Sequence, residues 1–135
     1  MRIFFFVFTL CSLFLNSGCS PSNTDNSEYL RPNWQTITAE EANRMMAEVD
    51  SYVLLDVRST EEFRELRIDG AILIPHNELI NRAEEELPDK NAIIFLYCRS
   101  GNRSVVAADI LVSLGFTAVY DFGGIISWPY ETISG

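Results

Sequence analysis

The sequence predicts an α/β protein whose central, mostly parallel five-stranded sheet is flanked by helices on both faces. Two runs, Tyr52-Val53-Leu54-Leu55-Asp56-Val57 and Ala92-Ile93-Ile94-Phe95-Leu96-Tyr97, are apolar with little alternation, as strands buried on both faces are. Segments with helical spacing lie between such runs, several of them opened by capping signals, so strands and helices alternate. With 135 residues there is room for one domain with a real core, not two.

The elements follow in order. Trp34-Gln35-Thr36-Ile37 reads as a short edge strand. Thr38-Ala39-Glu40-Glu41 has capping-box spacing and opens a helix to Val49, with Ala42, Met45, Met46 and Val49 on one face. The Tyr52–Val57 strand follows. Ser59-Thr60-Glu61-Glu62 is a second capping box, opening a short helix with Phe63 and Leu66. Gly70 breaks the chain before a third strand, Ala71–Ile74, which Pro75 closes. Asn77 is expected to cap a helix running to about Leu87, stopped by Pro88. After the Ala92–Tyr97 strand and a tight loop, a helix is expected from Ser104 to Leu114, with Gly115 just past its end. Thr117–Tyr120 is the last strand, and Gly123-Gly124 reads as a turn into Ile125–Tyr130.

The first 19 residues read as an export signal. Arg2 is a minimal basic start, and Ile3 through Leu15 is an apolar stretch too short for a membrane span of about 20 residues. Asn16-Ser17-Gly18-Cys19 resembles a bacterial lipobox, with Cys19 as the lipid acceptor. Asn16 departs from the aliphatic residue usual there, and ordinary cleavage near Ser20 is the alternative. Residues 20–33, with Pro21, Pro32 and many Ser and Asn, read as a flexible linker, leaving 34–134 as the folded domain. The expectation is an exported protein whose contact with a membrane is its N-terminal lipid anchor, or else a soluble secreted one.

The net charge is −9, and past Arg2 the chain carries nine basic and nineteen acidic residues. An acidic body argues against nucleic-acid binding and requires any anion site to be local. Of the three cysteines, Cys11 and Cys19 belong to the signal region, so Cys98 is the one thiol of the folded body and no internal disulfide framework can form. With a single histidine and no cysteine pair there, neither a metal site nor a cofactor is expected. Nothing indicates an oligomer, and a monomer is the default.

Cys98-Arg99-Ser100-Gly101-Asn102-Arg103-Ser104 stands between the most apolar strand and a helix start. Helix N-termini carry unpaired N–H groups and positive dipole charge, which favours a thiolate, the nucleophilic form of cysteine. Ligands of open α/β sheets bind beyond the carboxyl ends of the strands, where this loop lies. Arg99 and Arg103 make it a basic patch. From these residues alone, Cys98 is either a nucleophile or a buried thiol at a strand end, and the arginines either bind oxyanions or are solvated.

Four segments in order resemble one family. Leu54-Leu55-Asp56-Val57-Arg58 with Thr60-Glu61-Glu62-Phe63, then Ile68-Asp69-Gly70-Ala71-Ile72-Leu73-Ile74-Pro75, then the Cys98 loop, then Phe122-Gly123-Gly124-Ile125-Ile126-Ser127-Trp128, look like the signatures of a single-domain rhodanese, from about Trp34 to Tyr130. The chain departs from them at Leu66-Arg67, where Gly-His is frequent, and at Asp69, where Pro is. The resemblance implies a sulfurtransferase that moves sulfur from thiosulfate or a similar anionic donor to a thiol or cyanide through a persulfide on Cys98. Ser100, Gly101 and Asn102 would act through their backbones. Arg103 would order the loop by donating to its carbonyls or to substrate, and Arg99 would attract the donor. Ser104 would cap the helix. Asp56 and Arg58 resemble a structural pair beside the loop. Four residues separate Cys98 from Arg103, whereas phosphatases and arsenate reductases on related folds use Cys-x5-Arg, which disfavours that alternative. A non-catalytic persulfide carrier would need the same loop and remains a second reading. His76 is read as surface or loop packing rather than as a partner of Cys98.

Overall fold

A computed structural model describes residues 33–135; the expected signal segment with Cys19, and the linker up to residue 32, lie outside the described residues. The elements are β1 (Gln35–Thr36), α1 (Ala39–Glu48), β2 (Val53–Asp56), α2 (Thr60–Glu65), β3 (Ile72–Leu73), α3 (Leu79–Glu86), β4 (Ile93–Cys98), α4 (Asn102–Ser113) and β5 (Ala118–Gly124), closed by a 3₁₀ turn at Ile125–Ser127. The five strands form one sheet in the order β1-β5-β4-β2-β3, with every pairing parallel. The expected α/β architecture is present.

Both faces of the sheet are covered, which accounts for the unbroken apolar runs. On one face Leu55, Ile94 and Leu96 pack with Leu79 and Ala83 of α3 and with Ala107, Ala108 and Leu111 of α4. On the other, Leu54, Phe95 and Tyr97 meet Ala39 and Ala42 of α1, together with Phe122 and Ile125. Alternate residues of β2 and β4 therefore serve opposite cores, as the two-residue strand period requires.

Local signals set most of the boundaries. The Ser59–Glu62 capping box is complete: Ser59 Oγ accepts from the Glu62 N–H at 3.3 Å, and the Glu62 carboxylate accepts from the Ser59 N–H at 3.0 Å. At the end of α4, Gly115 (φ +92) donates to Val112 O and Phe116 to Leu111 O, which closes the last turn of the helix.

Three boundaries differ from expectation. Asn77 does not cap α3: a turn closed by Glu78 N–H to Pro75 O (2.8 Å) takes up that residue, and the helix begins at Leu79 without a side-chain cap. α4 starts at Asn102 rather than Ser104, because Gly101 at φ +104 turns the chain straight from the loop into the helix. Gly123 and Gly124 belong to β5, not to a turn after it. Leu96 pairs with Asp121 and Cys98 with Gly124, so two residues of β5, Phe122 and Gly123, oppose Tyr97 alone. This bulge carries the strand forward beneath the Cys98 loop.

Candidate active site

Cys98 ends the central strand, and the chain wraps back over its sulfur before entering α4. The residue is 1 % exposed, so the sulfur lies at the bottom of a cup rather than on the surface. The Gly101 N–H donates to Sγ at 3.0 Å, and the thiol faces Ser104 Oγ at 3.7 Å. Burial pushes the Cys98 thiol up. The amides of Ser104, Gly101 and Ser100 and the Ser104 hydroxyl oppose that and prevail, leaving the thiol below its ordinary value. The aliphatic neighbours on the sheet side and the inward-facing amides on the loop side together make a sulfur that is dry yet anionic in tendency.

Ser104 is not the helix cap. It is the third residue of α4, fully buried, and its hydroxyl donates to Gly101 O at 2.9 Å with Gly123 O at 3.3 Å as a second acceptor. The helix begins earlier than the sequence suggests, and this turns Ser104 inward against the sulfur. A Cβ added at Gly101 would lie 3.6 Å from Gly123 Cα, an ordinary contact, so the positive φ and not crowding is what favours glycine there.

Arg103 does not turn to the loop carbonyls. Its guanidinium makes two parallel bonds to the Glu62 carboxylate, Nη1 to Oε2 at 2.7 Å and Nη2 to Oε1 at 2.8 Å. The Arg103 bond, stronger than the burial that opposes it, holds the Glu62 carboxyl at about 2. Sequence reasoning assigned Glu62 to its helix cap alone. It does both, because one carboxylate oxygen can accept from the Ser59 N–H as well as from Arg103. Arg99 and Ser100 are exposed at the rim, as is Asn102.

Asp56 and Arg58 form the expected pair, almost wholly buried. Asp56 Oδ1 accepts from the Arg58 backbone N–H (2.9 Å) and Nε (3.0 Å), and Oδ2 from Nη2 (2.6 Å). Arg58 also donates to Leu66 O and lies over the Tyr97 ring at 5.5 Å. This pair locks the end of β2 to the segment after α2, beside the loop and not in it. His76 lines a polar cavity of about 210 Å³ that Arg58 and Arg103 also line.

Asp121, a residue that sequence reasoning passed over, is buried behind the loop. Burial raises its carboxyl, while the Gly123 N–H (2.8 Å) and Ser104 partly offset that. Its bond to Gly123 closes the bulge in β5. Only the bulge's pairing, visible in three dimensions, identifies this role.

A model of the rhodanese-like domain matches residues 38–129. The chain belongs to the rhodanese-like family. It is 38 % identical over 71 residues to thiosulfate sulfurtransferase PspE of Escherichia coli, covering 53 % of this chain and 68 % of that one. It is 32 % identical over 103 residues to a probable molybdopterin-synthase adenylyltransferase of Porphyra purpurea, covering 76 % of this chain but only 26 % of that longer protein. The solved structure of a rhodanese with anions from E. coli superposes with a TM-score of 0.59 at 33 % identity, covering 63 % of this chain and all of that one. Rhodanese-like membership puts the chain, at the level of reaction class, among the sulfurtransferases.

Proposed function

We propose that this protein transfers sulfane sulfur from thiosulfate or a similar anionic donor to a thiol or cyanide, by way of a persulfide on Cys98. The observation that carries the reading is the Gly101 N–H on Sγ at 3.0 Å within a loop whose amides lower the thiol despite its burial. The Cys98 thiolate attacks the outer sulfur of thiosulfate. A new S–S bond forms on Sγ, the donor's S–S bond breaks, and sulfite leaves with the electron pair. The acceptor then takes the outer sulfur and restores the thiolate, so transfer splits into two displacements. Loop amides that face Sγ would stabilise the charge on the persulfide as they do on the thiolate. Exposed Arg99 at the rim would draw the donor's anionic end. The name of the E. coli relative, a thiosulfate sulfurtransferase, supports this choice of donor. For the segment before the domain we propose export with lipid attachment at Cys19.

The test is intact mass after incubation with thiosulfate. One added sulfur atom is expected on the wild type, lost on addition of cyanide and never acquired by Cys98→Ser. Absence of the adduct, or an adduct that survives in Cys98→Ser, overturns the proposal.

A further inference from the structure

Beside the loop lies a groove of about 200 Å³ that the displacement on Cys98 does not explain. Its apolar wall is Leu66, Ile125 and Ile126. Ile126 is 68 % exposed and Leu66 42 %, an unfavourable display of aliphatic surface at one place. The wall is tied to the loop, since the Ile126 N–H donates to Arg99 O at 3.3 Å. The charges in the groove are unequal in availability. Glu62 is committed to Arg103, and Arg58 to Asp56. Arg99 makes no ion pair among the described residues, so its guanidinium is the cation left to meet a ligand. Glu65, also in the lining, sets a negative limit on the other side. Thiosulfate and cyanide are small and wholly polar, and offer nothing to three aliphatic side chains.

The geometry points to a subsite for the sulfur acceptor, shaped for a low-molecular-weight aliphatic thiol that carries a carboxylate. The methylene body would lie on Leu66, Ile125 and Ile126 with the carboxylate at Arg99, and Glu65 would select against a second negative charge. The inference rests on the persulfide reading and names the acceptor class for it. In the step itself the acceptor thiolate attacks the outer sulfur of the Cys98 persulfide. The new S–S bond forms on the acceptor, the bond to Sγ breaks, its electron pair returns to Sγ, and any proton on the outer sulfur leaves with it. No external oxidant or reductant is needed.

The experiment uses protein loaded with thiosulfate, freed of excess donor and mixed with mercaptopropionate, mercaptoethanol, cysteamine or cyanide. Loss of the extra sulfur is followed by mass, with rates expressed per thiolate. Mercaptopropionate is expected to discharge the persulfide about tenfold faster than cysteamine, the size of one screened charge contact at this distance scale. Arg99→Ala should erase that preference. Ile126→Ser, at an exposed position, should lower the ratio of the mercaptopropionate rate to the cyanide rate about fourfold, as loss of one buried methylene would. Equal rates for the three thiols overturn the inference. So does a preference that survives both substitutions. A protein that never loads sulfur overturns the persulfide reading and the inference together, whereas loading without discrimination overturns the inference alone.

Discussion

Glu62 and Arg103 are 41 residues apart in the chain and joined by two bonds of 2.7 and 2.8 Å, with both side chains less than a third exposed. The bond joins the first turn of α2 to the first turn of α4, and so fixes the far wall of the Cys98 cup. It is worth more than an open surface pair because it is bidentate and partly shielded.

Glu62→Gln should therefore weaken both stability and activity. The Glu62 carboxyl is held at about 2, below its ordinary value near 4.5, so its contribution is complete at neutral pH and is lost as pH falls from about 4.5 towards 2. Discounted for partial exposure, that contribution is about 1–2 kcal/mol. Urea midpoints of wild type and Glu62→Gln should differ by a constant amount at neutral pH and converge in that acid window. A gap that persists to about pH 2 would show that the loss does not come from the carboxylate's charge.

The thiol itself gives the second measurement. The rate of Cys98 alkylation against pH should show a midpoint below that of an ordinary thiol, about 8.5. Ser104→Ala removes the hydroxyl that faces the sulfur while leaving the loop amides, so the midpoint should move up but stay short of an unassisted buried thiol. An unchanged midpoint in Ser104→Ala would show that the hydroxyl serves only Gly101 O and Gly123 O.

What could be read from the sequence was what is local. The apolar runs of β2 and β4, the Ser59 capping box and Gly115 act within a few residues, and each lies where its chemistry predicted. Cys98 was legible because a strand, a thiol and a helix start stand adjacent in the chain. Glu62 was legible as a cap but not as the partner of Arg103, since nothing local marks which distant arginine will arrive. The bulge at Phe122–Gly123 was misread as a turn because glycines signal both, and only pairing with β4 decides between them. Ser104 was misplaced for a related reason: Gly101 at φ +104 started the helix before the residue that looked like its cap.

The buried Asp56–Arg58 pair should be costly to break. Asp56→Asn leaves the Arg58 guanidinium 4 % exposed with no carboxylate, and removal of one partner of such a pair typically costs about 3–5 kcal/mol. Thermal unfolding should fall steeply. Because the pair touches Leu66 O and the Tyr97 ring and not the sulfur, protein that remains folded should still load sulfur on Cys98. A folded Asp56→Asn protein that cannot load would move Asp56 into the chemistry.

Cys19 lies outside the described residues, and its role has a direct assay. Radiolabelled palmitate should enter the wild-type chain expressed in bacteria and be absent from Cys19→Ala. Label in neither would remove the lipid anchor and leave simple secretion or an uncleaved segment, and label in both would place the lipid on a residue other than Cys19.

Adjacent glycines in β5 should behave differently. Gly123 has φ +84 with nothing within 4 Å of an added Cβ, so Gly123→Ala meets only backbone strain of about 1–2 kcal/mol. Gly124 has an ordinary extended backbone, but an added Cβ would sit 2.3 Å from Arg99 O and 2.6 Å from Ser100 Cα. Those are backbone atoms of the loop, so no side chain can rotate out of the way, and Gly124→Ala must push the loop off the sheet. Gly124→Ala is expected to reduce sulfur loading on Cys98 by about a hundredfold, because displacement by an ångström is enough to misalign the amides that face the sulfur. Gly123→Ala should stay within about tenfold of wild type while unfolding earlier. Its alkylation midpoint should remain low, whereas that of Gly124→Ala should rise towards the value of a thiol without donors. If both variants load sulfur equally well, the close approach of Gly124 to Arg99 and Ser100 does not hold the cup in shape.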